Sequence, residues 1–418
     1  MRIFTLINRL RSWPSPWIFG VLILPVAVYV GFISTPLPFL LSKAGVSVYQ
    51  IASIGSLLQI PNILVFLWAP LVDVRLRRRT WLILSAAATA LCLWIAQPFV
   101  GSQQLYMLTA LLLIAGITVS LVLAASGGLM VTTLSADKQP KAAAWNQAGY
   151  LAGGALGGAL VLWLVTRLPV VLTGFVLAVV LFLPALLAFT LPEKEPEASH
   201  WFKGRLSAIG REVGGVLKSP LRRWSTLLLM APACTGAAQL LLPAIASHYG
   251  VGASGVIWIN GLGGGIALAG GSLCGALVPA AWDNRIVYAG AGLTNAIAAF
   301  VLMAANGAAG YLVGTIFYLA TQGLCWARFT ALIVEIVGPD TKDASTLYSA
   351  LSAAGSIPLA YMTWLDGFGY SRLGTHGLLW TDAVGNLIVF AVVVMVFVIG
   401  GLKFRHEPKA PLSKVKKL

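Results

Sequence analysis

Residues 66–79 read FLWAPLVDVRLRRR, so a run of apolar side chains ends in one carboxylate, Asp73, which four arginines follow closely. A new apolar run, TWLILSA, begins at residue 80. Charged side chains are costly in the hydrocarbon core of a bilayer, whereas an apolar run of roughly 20 residues crosses it as a helix. The stretch therefore predicts a membrane surface, where one spanning helix ends and the next begins.

The whole chain repeats this alternation of apolar runs and short polar breaks. Of its 418 residues, 58% are hydrophobic and only 10% are charged, and the mean hydropathy is +0.87. Soluble globular proteins do not have this composition. We expect an all-α membrane protein with twelve transmembrane helices in two six-helix halves. The predicted segments are residues 17–42, 49–72, 80–98, 105–133, 140–165, 168–190, 223–247, 253–281, 285–305, 309–336, 343–366 and 381–402.

The net charge of +15 is distributed unevenly among the polar connections. All but four of the 28 Lys and Arg residues lie in the terminal tails or in the connections on the same side of the predicted bundle. Cytoplasmic connections of membrane proteins are enriched in Lys and Arg. We therefore expect both termini in the cytoplasm. The charge then explains the topology, and nucleic acid is not an expected partner.

The longest polar interruption, residues 191–222, separates six predicted segments from the other six. The expected domains are an N-terminal six-helix bundle (1–190), a cytoplasmic linker (191–222), a C-terminal six-helix bundle (223–402) and a basic cytoplasmic tail (403–418). Apolar residues recur in the linker at near-helical spacing, at Trp201, Leu206, Ile209, Val213 and Leu217. This pattern indicates an amphipathic helix on the inner membrane face, and a solvated linker is the alternative.

Glycine is concentrated in the fifth and eighth predicted segments. Small residues four positions apart let membrane helices approach closely. The pairs are Gly154 and Gly158, Gly261 and Gly265, and Gly271 and Gly275. They predict a sliding surface between the two halves, with ordinary helix packing as the alternative.

No pattern in the sequence indicates an enzyme. It contains no HExxH, no GxSxG, no nucleotide-binding glycine loop and no clustered histidines. The cysteines Cys92, Cys234, Cys274 and Cys325 all lie in predicted segments and form no CxxC pair, so they are interpreted as small packing residues. We expect no catalytic residues, no cofactor and no metal site.

The stretch at residues 66–79 resembles the loop between the second and third helices of the major facilitator superfamily, which usually reads G-x-x-x-D-(R/K)-x-G-R-(R/K). Val74 and Leu76 stand where that loop has a basic residue and a glycine. FLWAPLVD followed by RRRTWL is similar to the branch with bacterial muropeptide permeases of the AmpG kind and related siderophore permeases. AGVSVYQIASIGSLLQIPNILVFLWAPLVD (44–73) and AAAWNQAGYLAGGALGGAL (142–160) resemble the same branch.

The resemblance implies alternating access controlled by an acidic latch. In the family fold, Asp73 would dock on the N-terminus of the eleventh segment, near residues 341–349, where unpaired amides favour a negative charge. The neighbouring arginines would hold the carboxylate ionised and oriented. These gating candidates are Arg75, Arg77, Arg78 and Arg79. A polar stop at the membrane surface is the alternative reading.

Ionisable residues inside apolar segments are costly and are therefore functional candidates. Arg328 is expected to meet an anionic substrate group, or else to pair with a carbonyl or polar residue of another helix. Glu335 is the proton-coupling candidate, with a structural role near the inner gate as the alternative. Asp366 and Asp382 flank a predicted outer loop and are interpreted as solvated ends. The other predicted substrate-binding residues are Asn146, Gln147, Tyr150, Gln239, Trp258, Asn260, Gln322, Trp326 and Tyr361.

On this resemblance, the predicted function is secondary active transport across the bacterial inner membrane, as proton-coupled uptake of an anhydro-muropeptide from cell-wall turnover. Uptake of a siderophore or metal chelate is the alternative, because 418 residues leave no room for the extra segments that muropeptide permeases often have. A transporter-like membrane sensor is less favoured because the tails are short. The expected partners are a small-molecule substrate, protons and the lipid bilayer, and the expected state is a monomer.

Overall fold

The computed structural model describes residues 15–68, 71–72, 76–101, 104–135, 138–192, 214–215, 219–279, 282–338 and 344–399. Within these ranges the chain forms helices joined by short connections, and no strand occurs among them. The predicted all-α class is therefore confirmed. Asp73 and Arg75, most of the linker, and the tail 403–418 lie outside the described residues. The predicted latch and the predicted linker helix fall there too.

The helical segments are numbered 1 to 12 in chain order. In the first half they are segment 1 (Ile18–Leu22, Leu24–Ser34 and Pro36–Lys43), segment 2 (Val48–Leu57, Ile60–Ile63 and Val65–Trp68), segment 3 (Arg78–Ala96, then a 3-10 turn Gln97–Phe99), segment 4 (Leu105–Thr133), segment 5 (Gln139–Arg167) and segment 6 (Val170–Ala185, then a 3-10 turn Leu186–Thr190). New helical pieces have proline at their first or second position, at Pro25, Pro36 and Pro61, because proline lacks the N–H that would continue the preceding piece.

The second half contains one broken segment and one sharply kinked helix. Its segments are segment 7 (Pro220–Leu229 and Ala237–Ile245, then a 3-10 turn Ala246–Tyr249), segment 8 (Ala253–Val256, a π-helix Ile257–Gly263 and Gly264–Ala276), segment 9 (Asn284–Ala304), segment 10 (Gly307–Val337), and segments 11 and 12 on either side of Leu373 and Gly374 in Ala344–Ile399.

Ten helical stretches of the described residues are long and apolar enough to cross a membrane. The last one, Leu347–Val398, would be about 78 Å long at 1.5 Å per residue, more than twice the thickness of a hydrocarbon core. It turns back at Gly374, where φ is +62°, and Gly369 then packs against Gly377. Two predicted segments are therefore counted as one stretch, and segment 7 is not counted because its two pieces are short. These two features account for the difference between the ten stretches and the twelve predicted segments.

Capping residues begin two of the segments. Ser47 accepts a hydrogen bond from the Gln50 amide, and the Gln50 side chain accepts one from the Ser47 amide, which forms a capping box before segment 2. Asp283 accepts a hydrogen bond from the Arg285 amide and caps segment 9. Both devices satisfy amides that a helix end leaves unpaired.

Small residues bring helices together within each half. Gly31 of segment 1 lies against Gly154 and Gly158 of segment 5, and a Cβ at Gly31 would collide with the Gly154 carbonyl oxygen. Gly271 of segment 8 lies equally close to Ala320 of segment 10. Two of the predicted glycine pairs therefore pack inside one half rather than between the halves.

Gly261 and Gly265 of segment 8 lie between the halves, and the sliding itself stays a prediction. They lie against Ala159 and Ala155 of segment 5, so this pair contacts the other half. Because only glycine and alanine meet at this contact, segments 5 and 8 approach closely without interdigitation of large side chains.

The two halves meet mainly at one end of the bundle, termed the closed end, which carries the connections 44–47, 168–169 and 250–252. The contact surface there is termed the seam and consists of Ser42, Ala52 and Gly55 from the first half and Leu241, Ala244, Thr363 and Gly367 from the second. The Ser42 hydroxyl donates to the Ala244 carbonyl oxygen at 2.6 Å. A void of only about 10 Å³ remains in the seam.

The opposite end is termed the basic end because it carries arginines and lysines. Arg77, Arg78 and Arg79 begin segment 3, and Lys138 precedes segment 5. Arg78 donates to the Gly128 carbonyl oxygen at 3.4 Å and to the Thr132 hydroxyl at 3.3 Å, so it joins segment 3 to segment 4. These contacts lie within the first half.

We expect Gly271→Ala to destabilise the protein, because the new methyl group would collide with the Ala320 carbonyl oxygen. Overpacking of this kind costs about 1 to 3 kcal/mol. The neighbouring Gly270→Ala is a matched control, since nothing lies within 4 Å of its Cβ position. The measurement is the thermal midpoint of both variants in detergent. Equal midpoints would contradict the close packing of segments 8 and 10.

Candidate functional site

The first half contains a cavity of about 210 Å³ between segments 1, 2, 4 and 5. Its polar lining residues are Tyr29, Asn62, Ser120, Asn146, Gln147 and Tyr150. The other lining residues are apolar or Gly and Pro, and none of the lining residues carries a charge. Such a mixture of amides, hydroxyls and apolar walls is typical of a site for a polar, uncharged part of a small molecule.

The predicted residues Asn146, Gln147 and Tyr150 all line this cavity. The Asn146 amide donates to the Phe19 carbonyl oxygen at 3.2 Å, which anchors segment 5 to the start of segment 1. Gln147 is exposed and forms no hydrogen bond with the described residues. Its amide can therefore bind a ligand without first breaking a contact within the protein.

The cavity begins where the seam ends. Ile33 and Leu58 line both the cavity and the void in the seam, so the two are neighbours along the axis of the bundle. The seam joins the closed-end parts of segments 1 and 2 to segments 7 and 11, whereas all the cavity residues belong to the first half. The cavity is therefore shut toward the closed end by contacts between the halves.

The second-half candidates do not line this cavity. Trp258 and Trp326 are exposed, and Trp326 packs edge-on against Phe329. Asn260 lies in the π-helix of segment 8 and accepts a hydrogen bond from the Tyr311 hydroxyl at 3.0 Å. Short π-helices often mark functional sites in membrane and soluble helices. Gln239 is half-buried and forms no hydrogen bond with the described residues.

Arg328 binds a backbone carbonyl, which is one of the two alternatives left open by the sequence. Its guanidinium donates to the Gly275 carbonyl oxygen at 2.5 Å, so it joins segment 10 to segment 8. Its Nε is buried and lacks a partner among the described residues. No anionic side chain of the described part of the chain pairs with it.

Gln322 and Tyr361 hold the break in segment 7. The Gln322 amide donates to the Cys234 carbonyl oxygen at 3.2 Å, and the Tyr361 hydroxyl donates to the Met230 carbonyl oxygen at 2.9 Å. Both residues are therefore engaged with the backbone of the second half. Their position gives them a structural task that the sequence pattern did not indicate.

Two more side chains complete the support of this break. The Tyr288 hydroxyl donates to the Ala233 carbonyl oxygen at 2.9 Å, and the Asn386 side chain accepts from the Cys234 amide at 2.9 Å. The backbone turns where Cys234 and Gly236 have φ of +58° and +75°. Side chains of segments 9, 10, 11 and 12 thus satisfy backbone groups that the missing helical turn leaves free.

Glu335 lies in a polar network at the basic end. It accepts from the Arg285 guanidinium at 2.7 Å and from the Asn284 amide at 2.6 Å. Arg285 is 5% exposed, pairs with Asp283 at 3.1 Å and donates to the Ser225 hydroxyl at 2.8 Å. The network joins segments 7, 9 and 10. The sequence showed the DNR triplet at residues 283–285 but not that its arginine is buried.

Asp366 and Asp382 are not solvated ends, and that interpretation is wrong. They are 0% and 1% exposed, because segments 11 and 12 continue for two further turns toward Gly374. The intervening residues GFGYSRLGTHGLLW (367–380), four of them glycines, form the predicted outer loop. In the structure these glycines instead allow the two helices to pack closely.

The sequence matches the family model of the Major Facilitator Superfamily over residues 17–361. No curated protein sequence gives a match. Among solved structures, the chain is similar to a D-xylose-proton symporter, with a TM-score of 0.63 and 16% identity over 94% of this chain and 97% of that chain.

The chain is also similar to the nucleoside transporter NupG, with a TM-score of 0.67 and 13% identity over 93% of this chain and 99% of that chain. A point mutant of NupG gives a TM-score of 0.73 and 11% identity over 93% and 100% of the two chains. At these identities the likeness is one of fold. Together with the family match, it shows that this chain is an all-helical membrane transporter that belongs to the Major Facilitator Superfamily.

Proposed function

We propose that this protein is a secondary active transporter that takes up a sugar-bearing polar solute by alternating access. The observation that carries the proposal is the pairing of an uncharged polar cavity with a seam that shuts one end of it. The proposed access to the cavity in this conformation is from the basic end. Separation of the halves at the seam, with approach of their basic ends, would expose the same cavity to the other side.

The proposed bodies that move are residues 1–190 and 223–402, with 191–222 as their cytoplasmic connection and 403–418 as a basic tail. The proposed orientation places the basic end in the cytoplasm of a bacterium. It is supported by Arg77, Arg78, Arg79 and Lys138 at that end, against Lys43 and Arg167 at the closed end. Transport in this direction would be uptake across the inner membrane.

The proposed solute is an anhydro-muropeptide, which combines sugar rings with peptide groups. Asn62, Asn146 and Gln147 supply the amide donors and acceptors that hydroxyl and amide groups need, and Tyr150 supplies an aromatic face. The similar solved proteins are named for a sugar and for nucleosides, so this fold accommodates sugar-bearing solutes. A siderophore or its metal chelate is the alternative solute, on the resemblance to permeases of that class.

The two halves contribute differently to the proposed site. The cavity residues of segment 5 would bind the solute in the state described. Gln239, Trp258 and Trp326 have side chains that are not committed to hydrogen bonds with the described residues, and they are proposed to contact the solute from the second half. Asn260, Gln322, Tyr361 and Arg328 would act mainly by holding the second-half helices in place.

The basic-end network is proposed to be part of the inner gate. Glu335 is paired with Arg285, which favours the structural alternative for this carboxylate over a proton-coupling role. Arg77, Arg78 and Arg79 begin segment 3 at the same end, next to the proposed Asp73 latch. Proton coupling remains part of the proposal.

We expect Gln147→Ala to raise the KM for uptake about fivefold, because one side-chain hydrogen bond contributes ~1 kcal/mol. The measurement is uptake of labelled anhydro-muropeptide and of labelled ferric siderophore into proteoliposomes, with and without a pH gradient. Asn306→Ala is the control, since Asn306 is exposed and remote from the cavity. Flux of neither solute would reject the proposed solute classes, and an unchanged KM would reject the cavity as the binding site.

We expect Arg285→Met to lower the thermal midpoint strongly. The variant leaves Asp283 and Glu335 without their cation. Since both carboxylates are partly exposed, the expected loss is that of charge-assisted hydrogen bonds, about 1.5 to 3 kcal/mol. Arg372→Met is the control, because Arg372 is exposed and only lies over the Phe368 ring at 5.1 Å. Equal midpoints of the two variants would show that the network does not stabilise the second half.

A further inference from the structure

We infer that Asp366 and Asp382 form the proton-carrying site of this transporter, inside the second half and apart from the solute cavity. The inference rests on the proposed function in one respect, namely that solute movement is coupled to an ion. It replaces Glu335 as the carrier, since Glu335 is partly exposed and already paired with Arg285. The two buried acids have neither property.

The burial of the two carboxyl groups is complete and largely uncompensated. Both oxygens of Asp366 and Oδ1 of Asp382 lack a hydrogen-bond partner among the described residues. Asp382 Oδ2 accepts from the Tyr318 hydroxyl at 2.9 Å. A buried carboxylate without hydrogen-bond partners has a far higher free energy than the neutral acid. The pair is therefore expected to hold a proton.

The side chains around the pair supply no positive charge. Asp366 and Asp382 interact electrostatically with each other and with Tyr318 of segment 10, and Asp382 also interacts with Cys234 at the break in segment 7. No Lys, Arg or His in the described part of the chain forms a hydrogen bond or ion pair with either acid. Two like charges without a cation cannot both persist, so at least one proton is held.

The other elements packed against segments 11 and 12 bring only neutral or remote groups. Segment 9 contributes Tyr288, whose hydroxyl is already donated to Ala233, and segment 10 contributes Cys325. Segment 2 contributes Tyr49, which packs edge-on against Trp364. No described histidine, cysteine or acidic group completes a set that could hold a metal ion. A proton is therefore the cation that the pair is suited to carry.

The position of Asp382 links its charge to the seam. Its carboxyl interacts with the backbone N–H of Ala238, near the start of the helical piece Ala237–Ile245. A helix N-terminus attracts a carboxylate more strongly than a neutral acid. The same piece carries Leu241 and Ala244, which form part of the seam. Loss of the proton would thus strengthen the attraction between the Asp382 carboxylate and the N-terminus of Ala237–Ile245, the helical piece that carries part of the seam.

The proposed route for the proton begins at a hydrogen-bonded group at the closed end. Tyr370 lies one helical turn, about 6 Å, beyond Asp366 on the same face of segment 11. Its hydroxyl is 3.2 Å from His248 Nε2, and His248 Nδ1 is 2.9 Å from the Thr375 hydroxyl oxygen. His248 is exposed. An exposed imidazole can exchange protons with water and pass them inward along such a chain.

The first test asks whether the pair holds a proton, and it needs no solute. Infrared spectra of the full-length protein in lipid are recorded at neutral pH. We expect a protonated-carboxyl band that is lost in the double variant Asp366→Asn, Asp382→Asn. Asp283→Asn is the control and should keep the band, because Asp283 is paired with Arg285. Absence of the band from the unaltered protein, or its persistence in the double variant, would overturn the assignment.

The second test asks whether this proton moves with the solute. Proteoliposomes with an entrapped pH dye receive anhydro-muropeptide or ferric siderophore, and protons moved per solute are compared. We expect at least a tenfold loss in Asp366→Asn and in Asp382→Asn, and a severalfold slower proton movement in His248→Gln. Unchanged proton movement in the Asn variants would overturn the site. Solute uptake by the unaltered protein without proton movement would overturn it as well, while leaving transport itself established.

Both tests remain decisive if one variant folds poorly. Asparagine has nearly the shape of protonated aspartic acid, so each single variant is expected to keep the thermal midpoint of the unaltered protein. Asp382→Glu restores an ionisable group and is expected to recover part of the proton movement that Asp382→Asn loses. Equal loss in the Glu and Asn variants, at equal abundance, would show that Asp382 acts through packing and not through its proton.

Discussion

A bilayer offers no water to pair with backbone amide and carbonyl groups, and this constraint shapes the second half of the protein. Segment 7 is interrupted between Leu229 and Ala237, where a run of backbone groups loses its helical partners. Side chains from segments 9, 10, 11 and 12 replace those partners: Tyr288, Gln322, Tyr361 and Asn386. The break therefore ties segments 7 and 9 to 12 into one unit, and the piece Ala237–Ile245 of segment 7 joins that unit to the seam.

The seam has the opposite character, and this difference permits the two halves to separate. Its residues are small or apolar, and the hydrogen bond from Ser42 to Ala244 is the one polar contact across it among the described residues. The buried cation Arg285 instead has both of its acidic partners, Asp283 and Glu335, within its own half. Opening the seam thus leaves no buried charge unpaired, whereas breaking up a half would. Rigid halves with a weak junction are what alternating access requires.

Sequence patterns predicted the parts of this arrangement that depend on local chemistry. Hydropathy located the helices, and three of the ten residues predicted to bind the substrate, Asn146, Gln147 and Tyr150, line the cavity. The burial of Asp366, Asp382 and Arg285 could not be predicted in this way, since it depends on which helices pack together. The glycines at 367–380 are equally compatible with a loop and with close helix packing, and only the neighbouring helix decides between them. The break in segment 7 could not be predicted either, because the side chains that pair with its backbone belong to other helices.

The most direct test of the account is whether a covalent bond across the seam stops transport. Gly55 lies against the Thr363 side chain, so Gly55→Cys with Thr363→Cys places two thiols within bonding reach across the halves. We expect the oxidised double variant to take up no solute, reduction to restore uptake, and either single variant to be insensitive to the same oxidant. Full uptake by a protein shown to be completely cross-linked would contradict the movement of two halves about this cavity.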